Sequence, residues 1–221
     1  MERVQSAKFI SSGSLMISAF YVLLAIFSYG LRDTSISGIS AIQILFIPII
    51  ISFIGIAFAS YNLGFDSDEP WERGKIIAVL ITISIILLLV AQISLIVAGV
   101  DDDGKIIRVA FFYIGDILMI ISSIVFSLSF FFFRKQLLTL YFKKIIVKHP
   151  NFLPTISFAL QAVAYCLFFG ASFTQGDVLI GIDLTGIIIS AISVLLLIGG
   201  LIPVNISFRA YSHLLDDESL R

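Results

Sequence analysis

The chain has 221 residues, of which 59% are apolar and 13% are charged, and its mean hydropathy is +1.08. Soluble domains carry about 45–50% apolar and about 25% charged residues, so this chain has too few polar groups to cover a surface in water. The composition excludes an ordinary soluble enzyme and a disordered tail, and it indicates an integral membrane protein. The net charge of −1 gives no general attraction to polyanions, so we expect no nucleic-acid partner.

Six apolar segments are long enough to cross a bilayer as helices. The hydrocarbon core is about 30 Å thick and requires about 20 residues at about 1.5 Å per residue. The sequence therefore predicts an all-α integral membrane protein that forms a single polytopic membrane domain over residues 1–221. The predicted transmembrane helices cover residues 9–31, 39–60, 76–100, 109–133, 155–174 and 184–206.

Lysine and arginine are distributed unequally between the two sides of these spans. The side that holds both termini carries eleven of the 14 cations, namely Arg3, Lys8, Arg73, Lys75, Arg134, Lys135, Lys143, Lys144, Lys148, Arg209 and Arg221. The other side carries Arg32, Lys105 and Arg108. Because cytoplasmic loops of membrane proteins carry the excess of cations, we predict a multi-pass protein of the cell membrane with cytoplasmic N- and C-termini.

Short connections on the outer side join the predicted helices in pairs. These connections are Arg32–Ser37, Asp101–Arg108 and Gln175–Asp183, and each has a glycine in or near it together with an acidic residue. Glycine and solvated acids are typical of tight turns. The sequence thus predicts three αα-hairpins that turn on the outer side.

A basic segment follows the fourth predicted span at residues 134–149. Its cations alternate with leucine, isoleucine and aromatic residues, and they are Arg134, Lys135, Lys143, Lys144 and Lys148. This pattern predicts a basic amphipathic helix that lies on the inner leaflet or continues out of the fourth helix. The segment is either a lipid- or partner-binding element or an ordinary positive-inside anchor.

Asp116 is the one acidic residue that lies well inside a predicted span. It is about 10 Å from the outer end of the fourth helix, and Tyr113 is close enough along that helix to hydrogen-bond it. Gln43 and Gln92 lie at a comparable depth in the second and third helices. We expect these four residues to form a polar cluster, which is either a binding site for a substrate or ion or a structural hydrogen-bonded knot.

Two amides lie apart from this cluster. Gln161 is in the inner half of the fifth predicted helix, where we expect it to hydrogen-bond a neighbouring helix. Asn205 lies near the inner end of the sixth helix and is expected at the membrane interface.

The sequence carries no catalytic motif and no recognisable motif of a known family. His149 and His213 lie outside the spans, which excludes a haem held between helices by two histidines of this chain. No HExxH motif is present, and the single cysteine, Cys166, excludes an internal disulfide and a multi-thiolate metal site. We therefore expect no enzymatic activity, no cofactor and no bound metal.

Two functions from different classes remain open. The first is a small transporter or channel with a polar site in the outer half of the bilayer, formed by Asp116, Tyr113, Gln43 and Gln92. The second is a non-catalytic structural or accessory subunit of a membrane complex that binds partner helices or lipids. Because six helices leave little room for a substrate cavity in a monomer, transport implies a homo-oligomer. The expected partners are the lipid bilayer and either other copies of the chain or proteins of a membrane complex.

Overall fold

A computed structural model describes the backbone at residues 2–30, 35–36, 39–63, 70–99, 107–144, 146–173 and 177–219. Side chains are described at residues 4–23, 46–62, 74–99, 107–144, 146–173, 181–182 and 184–213. The helices are α1 (Glu2–Gly30), α2 (Ala41–Leu63), α3 (Pro70–Ala98), α4 (Val109–Phe142), α5 (Leu153–Ala171) and α6 (Asp177–Ser219). Between α1 and α2, the two-residue strands β1 (Ser35–Ile36) and β2 (Ile39–Ser40) pair antiparallel.

Five of these helices contain segments that are long and apolar enough to cross a membrane. Within the described residues the segments are Val4–Leu23, Gly74–Ala98, Val109–Phe142, Leu153–Ala171 and Leu184–His213. The corresponding segment of α2, Phe46–Asn62, is apolar but shorter, although the whole helix has 23 residues. The described part of the chain thus contains the six predicted helices, and five of them are long and apolar enough to cross a membrane.

Several helices extend beyond the predicted spans. The α4 helix continues past the predicted span 109–133 to Phe142, as in the alternative in which the basic segment extends the fourth helix, and α6 runs for 43 residues, beyond the predicted span 184–206. Residues 177–183, predicted as part of a connection, belong to α6. An apolar run limits the part of a helix that lies in hydrocarbon, whereas the helix itself continues through polar residues of good helix propensity.

The helices form a closed ring in which each packs against the next and α6 packs against α1. Gly115 of α4 closely approaches Leu95 of α3, and Ser122 hydrogen-bonds Ser84, so α3 and α4 are antiparallel. Helices α5 and α6 are also antiparallel, because Gly186 approaches Phe168 and Gly200 approaches Pro154. The predicted outer turns lie largely outside the described residues, so the arrangement as three outward-turning hairpins remains a prediction.

A close approach between Gly200 and Pro154 completes the contact of α5 with α6. A Cβ atom on Gly200 would lie 2.9 Å from the backbone nitrogen of Pro154 and closer still to its ring carbons. Only a residue without a side chain fits at this position. The contact places the start of α5 against the middle of α6.

Aromatic rings fill the centre of the ring of helices. Phe53 lies 4.4 Å from Phe126 between ring centroids, and Phe158 lies 5.1 Å from Phe126 and 5.2 Å from Phe130. All four side chains are at most 2% exposed. Side chains such as Ile93, in contrast, are more than half exposed on the outside of the bundle. An apolar exterior around a packed aromatic core is what a bilayer environment requires.

The cations cluster at one end of the bundle, which we call the basic end. Three hydrogen bonds show which parts of the chain meet there. Asn205 of α6 bonds Ser11 of α1, and Ser207 of α6 bonds the Lys148 backbone. Gln136 of α4 bonds Ser60 of α2. Of the lysine and arginine side chains that the structure describes, eight are near this end: Lys8, Lys75, Arg134, Lys135, Lys143, Lys144, Lys148 and Arg209. Arg108, just before α4, lies at the opposite end.

Candidate functional site

The predicted outer cluster is centred on the first three turns of α4. Gln92 of α3 does face α4, but its side-chain Nε2 donates to the sulfur of Met119 at 3.6 Å and not to Asp116. Met119 is one turn after Asp116. The structure therefore brings Gln92 next to the predicted site without bonding it to the carboxylate.

Tyr113 packs among aromatic rings of the α5 side. Its ring stacks on Phe173 with the centroids 5.0 Å apart and meets Phe169 edge-on at 5.8 Å. The expected hydrogen bond between Tyr113 and Asp116 is not formed in the described part of the chain. Aromatic contact area, rather than the carboxylate one turn away, determines the orientation of the tyrosine ring.

Asp116 lies between these two contacts and is half-buried. No hydrogen bond or ion pair connects its carboxylate with any side chain or backbone group that the structure describes. Gln43 is in the first turn of α2, and its side chain lies outside the described residues. Tyr113, Asp116 and Met119 thus form one side of α4, with Gln92 adjoining at Met119.

Two other serines of α4, in contrast, form hydrogen bonds to the backbone of neighbouring helices. Ser122 donates to the Ser84 carbonyl at 2.9 Å, and Ser127 donates to the Thr155 carbonyl at 2.9 Å. Small hydroxyl residues allow close helix contact and bond a carbonyl across the interface. The serine pattern in the sequence predicts such packing but not which carbonyl accepts each bond.

Gln161 forms the centre of a second set of bonds between α5 and α6. Its Oε1 accepts from Ser193 at 2.8 Å and from Ser190 at 3.3 Å, while Ser157 donates to the Ser193 carbonyl at 2.7 Å. The expectation that Gln161 bonds a neighbouring helix is confirmed. These satisfied side chains have a structural role in holding α5 to α6.

The basic segment is a continuation of α4 as far as Phe142, followed by an irregular link to α5. Arg134 places its guanidinium carbon 3.5 Å above the ring of Phe152, and Lys135 Nζ lies 4.5 Å from the centre of the Phe131 ring. Both contacts have cation–π geometry. The aromatic rings therefore hold the first two cations of the segment close to the bundle.

The remaining cations of the segment are exposed. Lys143 forms the C-cap of α4, and Lys144 has φ of 59°, the left-handed conformation that reverses the chain after a helix. The backbone N–H of Lys148 donates to Ser207 of α6 at 3.2 Å. This bond fixes the link against α6 and leaves the three lysine side chains at the surface of the basic end.

A buried polar contact that sequence reasoning missed joins α2 to α4 near the basic end. Gln136 Nε2 donates to the Ser60 carbonyl at 3.3 Å, and both residues are at most 2% exposed. The Ser60 hydroxyl and Gln136 Oε1 have no hydrogen-bond partner in the described part of the chain. Because Gln136 lies within the basic amphipathic segment, its sequence position predicts an exposed rather than a buried side chain.

Among the described residues, no group of three or more histidine, cysteine or acidic side chains is placed to hold a metal ion. The fold and these contacts define the chain as a multi-pass helical membrane protein. Comparison with known proteins found no matching family, no similar curated protein and no similar solved structure.

Proposed function

We propose that the chain is a small membrane transporter or channel in which Asp116 binds an ion or a substrate, or carries a proton. The observation that supports this proposal is the contrast between Asp116 and the other polar groups of the spans. Gln161 and Ser122 bond directly to neighbouring helices, whereas Asp116 has no bonding partner among the described residues.

Ionisable groups are costly in hydrocarbon and are retained at sites that bind or move ions. A carboxylate without a protein partner needs a proton, a cation or a polar ligand to lower that cost. Tyr113 and Gln92 are the nearby polar residues that the structure describes, and we propose that they complete the site together with Gln43 of α2.

The proposed path does not follow the axis of a single bundle, since aromatic rings fill that axis. At about 3.6 residues per turn, Asp116 lies about 80° around α4 from Phe126, toward the α5 side. A route past Asp116 therefore runs between helices or along a contact between copies. This geometry favours a homo-oligomer as the transporting unit.

We propose that the basic end faces the cytoplasm, with both termini on that side of the cell membrane. The concentration of described cations at this end supports the orientation under the positive-inside rule. We assign the chain no catalytic role and no cofactor, since its sequence lacks a catalytic motif.

Carbodiimide labelling tests whether Asp116 is a ligand-binding group. A hydrophobic carbodiimide modifies carboxylic acids within apolar surroundings, and mass spectrometry locates the adduct. We expect Asp116 to be the main modified residue in vesicles, with labelling reduced by added Na⁺ or by raised pH. Asp183→Asn serves as the matched control and should leave this labelling unchanged. Labelling of Asp116 that is insensitive to both cation and pH would contradict the proposal.

The second candidate is a non-catalytic structural or accessory subunit of a membrane complex that binds partner helices or lipids. The exposed Lys135, Lys143, Lys144 and Lys148 at the end of a tightly packed bundle favour it. Purification from native membranes distinguishes the two functions. A stoichiometric complex with other proteins supports the subunit, whereas a particle that contains only copies of this chain supports the transporter.

A further inference from the structure

Two cations of the basic segment lie on a pair of stacked aromatic rings where α4 meets α5. The guanidinium carbon of Arg134 is 3.5 Å from the centre of the Phe152 ring, and Lys135 Nζ is 4.5 Å from the centre of the Phe131 ring. The two rings are themselves stacked, with their centroids 6.4 Å apart and an angle of 24° between their planes. The stack therefore places both charges at one position on the surface of the bundle.

The ring contacts leave hydrogen-bond donors of both cations available to an anion. A guanidinium that stacks on a ring uses one of its faces, whereas its N–H donors point outward in its own plane. Within the described part of the chain, neither side chain forms an ion pair or a hydrogen bond, and the buried Nε of Arg134 has no acceptor. Asp116 is the one carboxylate among the described side chains, and it lies about 27 Å from Arg134 along α4. Two neighbouring positive charges thus have no counter-charge among these residues.

The surface beside this pair, toward the centre of the bundle, is apolar. Ser127 of α4 donates to the Thr155 carbonyl of α5 at 2.9 Å, so the two helices are in contact there. The next residue on each helix is exposed, Leu128 by 49% and Ile156 by 44%. Leu128 precedes Arg134 by six residues, which is about 9 Å along the helix. A ligand that matches this surface has an anionic group at the cations and a hydrocarbon chain beyond them.

We propose that Arg134 and Lys135 bind the phosphate group of one anionic phospholipid, with an acyl chain along Leu128 and Ile156. Arginine donates two parallel hydrogen bonds to a phosphate, and cations beside the ends of transmembrane helices attract anionic lipids. The adjoining apolar surface favours a lipid over a free phosphate ion. A helix from a second copy would cover the two charges and provide no matching anion. The inference rests on the lipid-binding part of the second candidate function and gives it a site and a ligand.

A tryptophan beside the site makes this binding measurable. Trp71 is the only tryptophan of the chain, so Trp71→Phe combined with Ile156→Trp leaves a single reporter next to the proposed acyl chain. The full chain is reconstituted into phosphatidylcholine vesicles with a small fraction of brominated phosphatidylglycerol or brominated phosphatidylcholine, which quench tryptophan fluorescence. We expect the apparent affinity for phosphatidylglycerol to be about ten-fold higher, or about 1.4 kcal/mol, since each cation near the surface contributes about 1 kcal/mol.

Substitutions in the cation pair separate a specific site from general attraction to the basic end. Arg134→Gln and Lys135→Gln should each reduce the preference by about three-fold or more. Lys143→Gln removes a charge from the same end, away from the stacked rings, and should leave the preference nearly unchanged. Phe152→Leu keeps every charge but removes the ring beneath the guanidinium, so it should also weaken the preference. This variant tests the site even if Arg134→Gln does not fold.

Equal quenching by the two lipids, or a preference that both Arg134→Gln and Phe152→Leu leave unchanged, would overturn the proposal. Loss of the preference on addition of inorganic phosphate at constant ionic strength would show that the site binds a free anion instead. Disulfide formation between copies through Ile156→Cys, in a chain that carries Cys166→Ala, would show that a second copy covers the surface. A stoichiometric complex from native membranes would support the subunit function whatever the lipid result, so the two fail separately, and neither depends on Asp116.

Discussion

Asn205 of α6 and Ser11 of α1 bond each other in both directions. The side-chain amide of Asn205 donates to the Ser11 backbone carbonyl at 2.7 Å and to the Ser11 hydroxyl at 3.0 Å. The Ser11 hydroxyl in turn donates to the Asn205 backbone carbonyl at 3.3 Å. The two residues are 194 positions apart in the chain. This pair joins the first helix to the last and closes the ring.

Replacing Asn205 with alanine should destabilise the bundle by about 1–2 kcal/mol, because it removes both bonds that the amide donates across a helix contact. Unfolding by SDS in mixed micelles measures the change. The control is Ser12→Ala, since Ser12 is exposed and its hydroxyl bonds the Lys8 carbonyl of its own helix. Equal effects of the two substitutions would show that the pair does not hold α1 to α6.

Gly200 should tolerate no larger residue. Gly200→Ala places a methyl group against Pro154 and should lower stability by about 1–3 kcal/mol, or prevent assembly of α5 on α6. Its neighbour Gly199 is the matched control, because a Cβ there meets Leu153 at an ordinary 3.6 Å. Gly199→Ala should be neutral or stabilising by up to about 1 kcal/mol. Comparable unfolding curves for the two variants would contradict the close contact.

Alanine substitution should destabilise the bundle at one of two buried serines and not at the other. The Ser122 hydroxyl bonds the Ser84 carbonyl, so Ser122→Ala should destabilise the bundle by about 1 kcal/mol. The Ser60 hydroxyl has no partner among the described residues, so Ser60→Ala should be neutral or stabilising by up to about 1–3 kcal/mol. Thermal unfolding of both variants in the same detergent measures the difference. Destabilisation of equal size would mean that the Ser60 hydroxyl is hydrogen-bonded in the membrane.

The proposed orientation predicts which side of the membrane each connection faces. A single cysteine introduced in the 101–105 connection of a Cys166→Ala chain should react with a membrane-impermeant maleimide in intact cells. A cysteine at Lys143, at the basic end, should react only after the cells are opened. The reverse pattern would place the basic end outside and overturn the orientation.

The sequence was sufficient to predict the membrane class and the number of helices, because both depend on apolar runs of bilayer length. It left open whether the basic segment lies on the inner leaflet or continues the fourth helix, since hydropathy reports where hydrocarbon ends and not where the backbone leaves the α conformation, which the structure places at Phe142. It also could not place Gln136. A glutamine within a basic segment appears solvent-exposed unless the neighbouring helix that covers it is known.

The arrangement of the candidate site could be predicted only in part, because it also depends on how neighbouring helices pack. Helical spacing placed Tyr113 next to Asp116 along α4, but it does not determine the direction of the tyrosine ring. That direction depends on Phe169 and Phe173, which are far away in sequence and meet α4 only through the packing of α5. Similarly, the partner of Gln92 depends on the relative positions of α3 and α4, which bring Met119 rather than Asp116 opposite the amide.

Ion flux into proteoliposomes tests the role of Asp116 most directly. Purified chain is reconstituted into phosphatidylcholine–phosphatidylglycerol vesicles, and uptake of H⁺ is followed with a trapped pH dye and uptake of Na⁺ with a radioactive tracer. We predict flux of at least one of these ions above that of empty vesicles, a loss of at least ten-fold in Asp116→Asn, and unchanged flux in Asp183→Asn. Flux that is the same in Asp116→Asn as in the unaltered chain, with the same pH dependence, or no flux of either ion, would contradict the proposed function.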